Sequence, residues 1–208
     1  MTPLFAWSSD ELRVMLRPER TYRRLADEVN ATEDAGTPFW CAFKRPLFAA
    51  FMLGAFASLT ASGRLNALLV IDGMIFWSFV PLLQALAMTC LVLVLARRRF
   101  PTARAIDLFF IGHGPLYLWF LAISGSCLFI PAQQIFLWPI QSGWIMPATL
   151  LIVWGWSNLT TFGFLRGALR LSTVRAAVAL LVYNLFVWGV IISYLFAIET
   201  LQLHRLHF

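Results

Sequence analysis

Four polar side chains lie inside long apolar stretches of this 208-residue chain, at positions that would allow them to act together. Each falls about 7 or 8 residues from the end of an apolar stretch that adjoins a basic loop, a depth of about 10–12 Å at 1.5 Å per residue. Because polar groups are costly in a bilayer, the common depth predicts one polar layer across a helical bundle. The layer would either fix packing through hydrogen bonds between helices or line a cavity or proton path. Its members are His113, Asn158, Asn184 and Thr89, with His113 as the group that titrates.

Two carboxylates also lie close to or within the apolar stretches. Asp107 is about one turn inside its stretch and near Arg104, which predicts an ion pair at the membrane edge or a polar site. Residues 112–115, Gly-His-Gly-Pro, could break the helix and bring Asp107 and His113 together, although the two face different sides of a straight helix. Asp72 is interpreted either as a second acid within the membrane or as a solvated side chain at its surface.

No metal and no cofactor are predicted. Glu199, His204 and His207 cluster near the C-terminus, but the His-x-x-His spacing lacks a third ligand. The three cysteines are dispersed, without the Cys-x-x-Cys spacing of metal or redox sites. The nine Trp and nineteen Phe residues are assigned to lipid contact and packing, with a pigment, quinone or haem site as the alternative.

The composition indicates that membrane-spanning helices position these groups. Apolar residues make up 60% of the chain, charged residues 12%, and the mean hydropathy is +0.76. Soluble domains carry about 45–50% apolar and about 25% charged residues. The predicted fold class is therefore all-α: a polytopic transmembrane helical bundle that occupies most of the chain.

The basic residues predict the topology of this bundle, because loops that carry Lys and Arg stay in the cytoplasm. All but Arg64 and Arg205 of the sixteen fall in three patches that alternate with the apolar stretches. This pattern predicts five spans, a cytoplasmic N-terminus and an outer C-terminus, and it assigns the net charge of +6 to membrane topology rather than to nucleic-acid binding. The patches are Arg13, Arg17, Arg20, Arg23, Arg24, Lys44 and Arg45; then Arg97, Arg98, Arg99 and Arg104; then Arg166, Arg170 and Arg175.

The predicted organisation has two parts. Residues 1–45 form a cytoplasmic amphipathic arm and linker, and residues 46–208 form the membrane domain. Residues 65–73 are interpreted as an interfacial or re-entrant piece, and Pro81 as a kink in the second span. The five spans are predicted at about 47–62, 74–96, 105–128, 143–165 and 176–198.

The arm carries an apolar face and a basic face. Tyr22, Leu25, Ala26 and Val29 recur at helical spacing opposite the basic residues. Such a segment before a span is expected to lie on the inner leaflet and to bind anionic lipid or a cytoplasmic partner. The residues expected to do so are Arg20, Arg23 and Arg24.

Three passages resemble the Yip family (Ypt-interacting proteins) in its bacterial branch. They are MLRPERTYRRLADE (Met15–Glu28), KRPLFAAFMLG (Lys44–Gly54) and ARAIDLFFIGHGP (Ala103–Pro115), together with the five-span layout. For eukaryotic members the resemblance implies a role in vesicle traffic with small GTPases, a partner that is not transferred to this chain. For bacterial members it implies an integral protein of the cytoplasmic (inner) membrane.

Three hypotheses of function follow from the sequence. The first is a non-enzymatic scaffold or membrane-organising subunit whose partners are anionic lipid and another membrane protein or a second copy of the chain. The second is a small permease or lipid-moving protein that uses the polar layer, which requires a cavity reaching His113. The third, a membrane-embedded enzyme, requires His113 and Asp107 or Asp72 in one pocket, and no catalytic residue is assigned.

Overall fold

The protein is helical throughout the residues that its computed structural model describes, which are 9–31, 41–96, 101–130 and 143–205. No strand occurs in these ranges. The all-α prediction is therefore confirmed for this part of the chain. The helices are α1 (Ser9–Leu16), α2 (Pro18–Ala31), α3 (Cys41–Ser62), α4 (Ala67–Trp77), α5 (Phe79–Leu95), α6 (Thr102–Ile111), α7 (Gly114–Leu128), α8 (Ile145–Gly167) and α9 (Thr173–Arg205).

Four helical segments are long and apolar enough to cross a membrane. A fifth candidate is the pair α6 and α7, which is bent by 44° at its break and counts only if the pair is one span. These helices are compatible with an integral membrane protein. The number of five spans and the orientation of the termini stay predictions. The four segments are Ala42–Ser62, Ala67–Leu95, Ile145–Gly167 and Thr173–Ile198.

Helices α3 and α4 form a tight antiparallel hairpin. Ser58 Oγ donates to the carbonyl of Arg64 at 2.9 Å and accepts from the amide of Asn66 at 3.0 Å, and Asn66 caps α4. Gly54 and Gly73 face each other across the hairpin, so that a Cβ on Gly73 would lie 3.1 Å from Gly54 Cα. The small side chains allow the two backbones to approach closely.

The hairpin also bears on residues 65–73. The helix begins at Ala67, and α4 with α5 forms one candidate span of 29 residues by length and composition, so the interfacial or re-entrant piece stays a prediction. A span of this length, about 44 Å, exceeds the hydrocarbon core of about 30 Å, so it must tilt or extend beyond the core. The break predicted at Pro81 falls at Ser78, one turn earlier, because the proline has no N–H for the preceding turn.

The arm, α1 and α2, packs on one end of the bundle. Tyr22 is fully buried and meets Phe164 of α8 edge-on, with ring centroids 5.4 Å apart. A Cβ on Gly163 would lie 3.0 Å from the amide nitrogen of Glu19, and one on Gly167 would lie 2.9 Å from Tyr22 Cβ. The two glycines thus form the surface on which α2 rests.

Ion pairs fasten the arm at this end, which we call the basic end. One pair links α1 to α3, and another links α1 to α2. Two more link α2 to α8 and to the segment that follows α8. Arg45 joins Glu11 on α1 to Asp107 on α6, and Arg166 lies 3.2 Å from Glu19. The remaining pairs are Arg24 with Asp10 and Arg170 with Asp27.

Candidate functional site

A break in the helical backbone presents His113 to the centre of the bundle. Helix α6 ends at Ile111, where the amides of Gly112 and His113 turn back to the carbonyls of Phe109 and Phe110 at 3.1 and 3.2 Å. Pro115 suits the first turn of α7, since a helix leaves the N–H groups of that turn without intrahelical partners. The predicted break at 112–115 is therefore present.

The side chain of His113 is buried and makes a hydrogen bond to a second polar group inside the bundle. Its Nε2 lies 3.2 Å from Oε1 of Gln84 on α5, within hydrogen-bond distance. The rings of Phe109 and Phe110 pack against the imidazole, with centroids 4.9 and 4.6 Å away. These contacts hold the ring at the junction of α5, α6 and α7.

A pair of asparagines joins α8 and α9 nearby. Nδ2 of Asn184 donates to Oδ1 of Asn158 at 2.7 Å and to the carbonyl of Leu180 at 2.9 Å. Asn158 in turn donates to the carbonyl of Trp154 at 2.8 Å. The predicted hydrogen bonding between helices thus occurs, and it links these two neighbours directly.

Both polar pairs line one cavity of about 240 Å³ between α3, α5, α7, α8 and α9. Six polar side chains and two tyrosines contribute to the wall, and the rest of the wall is aliphatic or aromatic. No Asp, Glu, Lys or Arg is among the described residues that line it. The polar contributors are Gln84, His113, Ser157, Asn158, Thr161 and Asn184, with Tyr117 and Tyr183.

The cavity has a polar level and an aromatic level. Gln84, His113, Asn158 and Asn184 lie about 9–11 residues from the helix ends at the basic end, a depth of about 14–17 Å. That distance exceeds the predicted value of about 10–12 Å, because α6 and α9 each begin three residues before the predicted spans. Further from the basic end the wall is formed by Trp77, Trp119, Phe120, Leu150, Trp188 and Ile191.

Three of the four predicted members of the polar layer therefore meet at one cavity, and one does not. Thr89 is half-buried on α5, about a turn and a half from Gln84, and does not line the cavity. Gln84 was missing from the sequence-based layer. The signal for it was available, since Gln84 is the sole carboxamide between residues 74 and 96.

Asp107 lies outside this cavity and interacts with different residues from those predicted. Arg45 Nε donates to its Oδ1 at 2.8 Å, and Arg45 also donates to Glu11 Oε1 at 2.6 Å. Arg104, which the sequence placed beside Asp107, is half-buried on α6. The helix break does not bring Asp107 and His113 into one pocket.

Asp72 is exposed on α4, and within the described residues it makes no ion pair or hydrogen bond. It does not line the cavity either. The enzyme hypothesis required an acid beside His113, and in the described part of the chain neither Asp72 nor Asp107 fills that place. The side chains of Glu199, His204 and His207 lie outside the described residues.

The arm residues are placed differently from the expectation of a helix lying on lipid. The face of α2 that carries Tyr22, Leu25 and Ala26 is buried against the bundle. Burial also raises the pKa of the Tyr22 phenol, because the phenolate would lose its solvation. Arg23 pairs with Glu19 at 3.0 Å. The apolar face is thus used within the protein, and Val29 lies outside the described side chains.

The turn between α1 and α2 reaches the helix break. Met15 is buried, and a Cβ on Gly114 would lie 3.1 Å from Met15 Cγ. The indole nitrogen of Trp156 donates to the carbonyl of Met15 at 2.9 Å. Thr160 Oγ1 donates to the carbonyl of Gly112 at 2.9 Å, which ties α8 to the same break.

Comparison with protein-family models, curated proteins and solved structures finds no match for this chain. The resemblance to the Yip family is therefore a prediction that these comparisons leave untested. The site must be interpreted from its own geometry.

Proposed function

We propose that this protein binds an uncharged, largely apolar molecule with a hydrogen-bonding end in its intramembrane cavity, and that it is a small permease or lipid-moving protein. The observation that carries the proposal is the cavity itself, in which the His113–Gln84 and Asn158–Asn184 pairs occur together on a wall that is largely aliphatic and aromatic. A dry, tightly packed bundle would have argued for the purely structural role of these polar groups.

The wall favours a neutral ligand over an ion. A charge moved from water into a site without a counter-charge has a high desolvation cost, and none of the described lining residues is an Asp, Glu, Lys or Arg. The amides and the imidazole supply donors and acceptors for a carbonyl or hydroxyl group. The tryptophans and Phe120 supply flat apolar surface for the remainder of the molecule.

The two levels of the cavity also suggest how such a ligand lies. Its polar end would meet Gln84 and His113 in the middle of the bundle, and its apolar part would extend along Trp77 and Trp119. In the topology predicted from the basic loops, with the N-terminus in the cytoplasm, the apolar part then points toward the outer leaflet. A reporter fused after Phe208 and active only outside the cytoplasm would support this orientation.

The proposal is tested with chemically matched probes that differ only in charge. Purified protein in a neutral detergent is titrated with a brominated long-chain alcohol, carboxylate or quaternary amine, and quenching of tryptophan fluorescence reports binding, since Trp77, Trp119, Trp154 and Trp188 line the cavity. We expect saturable quenching by the alcohol at concentrations at least tenfold lower than for the two charged probes. Equal quenching by all three would contradict the proposal.

Variants of the cavity wall test whether the alcohol binds in the cavity. Gln84→Leu and Asn184→Leu remove polar groups from the wall, and each is expected to weaken binding of the alcohol about five- to tenfold, the loss of one hydrogen bond. Thr89→Val is the matched control, because it removes a polar group from α5 outside the cavity. If Thr89→Val weakens binding as much as Gln84→Leu, the quenching does not report on this cavity.

A second candidate is a membrane-organising subunit of Yip-like type. The observation that favours it is the arm, which is fastened to the bundle by its apolar face and so leaves its arginines directed outward. Purification in a mild detergent, followed by identification of co-purifying proteins, tests it. A stoichiometric partner would support the organising role, whereas a stable single chain that binds the alcohol probe would support the cavity proposal alone.

A further inference from the structure

We propose that the outer face of the arm binds the phosphate of an anionic phospholipid through a row of four arginines. The row consists of Arg13, Arg17, Arg20 and Arg24, which follow one another at spacings of four, three and four. Arg20 and Arg24 are four apart on α2 and share one face of that helix, whereas Arg13 lies on α1 and Arg17 in the turn after it. The row borders a surface depression that Leu16 and Thr21 also line.

The backbone holds this row in one arrangement across the turn between α1 and α2. The amide of Arg17 bonds to the carbonyl of Arg13 at 2.8 Å, and the amide of Thr21 to the carbonyl of Arg17 at 3.1 Å. The buried Thr21 hydroxyl contacts the same two carbonyls at 3.1 and 2.9 Å. The bond between Thr21 and Arg13 spans eight residues, so the chain bends sharply at this turn and folds α1 against α2. Arginines from both sides of the bend therefore border one depression.

The charges of the row are only partly compensated within the protein. Asp10 lies 3.7 Å from Arg13 and pairs with Arg24, which also lies 3.5 Å from Glu28. In the described part of the chain no carboxylate lies within 4 Å of Arg17 or Arg20. Like charges at these spacings repel one another, so the row is stabilised by an external anion. Phosphate fits because guanidinium groups bind it through paired hydrogen bonds.

The neighbouring leucines identify the source of the phosphate as a lipid. Leu12 and Leu16 directly precede Arg13 and Arg17, and their side chains are 48% and 77% exposed. The turn that carries them packs at Met15 against α7 and α8, helices of the membrane domain. Acyl chains beside these helices would cover the two leucines, and the headgroup of the same lipid would meet the arginines.

The row differs from the set of arm arginines that the sequence suggested. Arg23 turns away to Glu19 and does not border the depression, whereas Arg13 and Arg17 do. The site is also separate from the cavity and does not depend on what the cavity binds.

The experiment uses the full-length protein in a neutral detergent and measures retained lipid by native mass spectrometry. Phosphatidylglycerol and phosphatidylcholine are titrated in parallel, with inorganic phosphate as a competitor. We expect preferential retention of phosphatidylglycerol, and a weakening of about tenfold or more in the double variant Arg17→Gln/Arg20→Gln. The matched control is Lys44→Gln/Arg175→Gln, which removes the same charge from exposed residues of the basic end outside the row.

Three outcomes would overturn the proposal. The first is equal retention of the two lipids, and the second is equal loss in the double variant and its control. The third is displacement of phosphatidylglycerol by inorganic phosphate at an equal concentration, which would assign the row to free phosphate. Unchanged Tm values in both double variants would show that any loss of lipid is not caused by unfolding.

Discussion

The basic end and the central cavity use polar groups in opposite ways. At the basic end Arg45 bridges two carboxylates, and the fully buried rings of Tyr22 and Phe164 pack edge-on between the arm and α8. In the cavity the polar groups are neutral (carboxamides, an imidazole and hydroxyls), and the space between them is open. Ion pairs thus connect segments at the basic end, where solvent still reaches the charges. Neutral polar groups occur in the cavity, where burying a charge would be costly.

This contrast separates the part of the molecule that determines the fold from the part that can accommodate a ligand. Contacts at the basic end join residues far apart in the sequence, such as Arg45 and Asp107, and involve glycines that accept no side chain. The cavity wall tolerates unfilled space, which costs stability unless something else occupies it. Substitutions at the basic end should therefore lower stability more than substitutions in the cavity wall.

The largest effect on stability is expected for Gly163→Leu. A side chain there would collide with the backbone of α2 at Pro18 and Glu19, so the arm must move or detach, at a cost of about 2–3 kcal/mol. Limited proteolysis should then cleave within α1 and α2 many times faster than in the native protein. Gly155→Leu on the same helix is the control, since a Cβ there meets nothing within 4 Å. Equal protection of the arm in both variants would show that α2 does not rest on Gly163.

A smaller effect is expected for Arg45→Met. The substitution leaves Glu11 and Asp107 next to each other without their shared cation. Because the three side chains remain 24–31% exposed, solvent reduces the loss to about 1–2 kcal/mol. A lower Tm of Arg45→Met in detergent, with an unchanged Tm of Lys44→Met, would support a stabilising role of the Arg45 bridge. A Tm that does not fall would mean that the bridge adds no net stability.

The smallest effect on stability is expected for Asn184→Leu. Hydrogen bonds between membrane helices contribute about 0.6–1.7 kcal/mol, and the leucine also fills some of the cavity. Binding of the alcohol probe should fall while Tm changes little, which is the reverse of the pattern for Arg45→Met. A large drop in Tm instead would favour the purely structural interpretation of the polar layer.

The sequence predicted correctly those features that depend on the residues of a single helix. Hydropathy indicated the apolar helices, and residues 112–115 indicated the break, because proline and glycine act on their own backbone. The common depth of His113, Asn158 and Asn184 followed from counting along each helix. The helical spacing of Tyr22, Leu25 and Ala26 indicated that these residues share one apolar face of α2.

Sequence-based prediction failed where the answer depended on which helices are neighbours. Asp107 was assigned to Arg104, three residues away, whereas its ion pair is with Arg45 on another helix. The apolar face of α2 was assigned to lipid, because periodicity cannot distinguish lipid from protein as the covering surface. Thr89 and Gln84 are on one helix about a turn and a half apart, and the packing of α5 against its neighbours decides which of them faces the cavity.

The hydrogen bond from Trp156 to the carbonyl of Met15 gives the protein an intrinsic optical probe. Indole emission depends on the partner of its N–H group and on nearby polar atoms. The difference between the spectra of the native protein and Trp156→Phe would report whether the N-terminal helices are docked, in the native membrane and without an added dye.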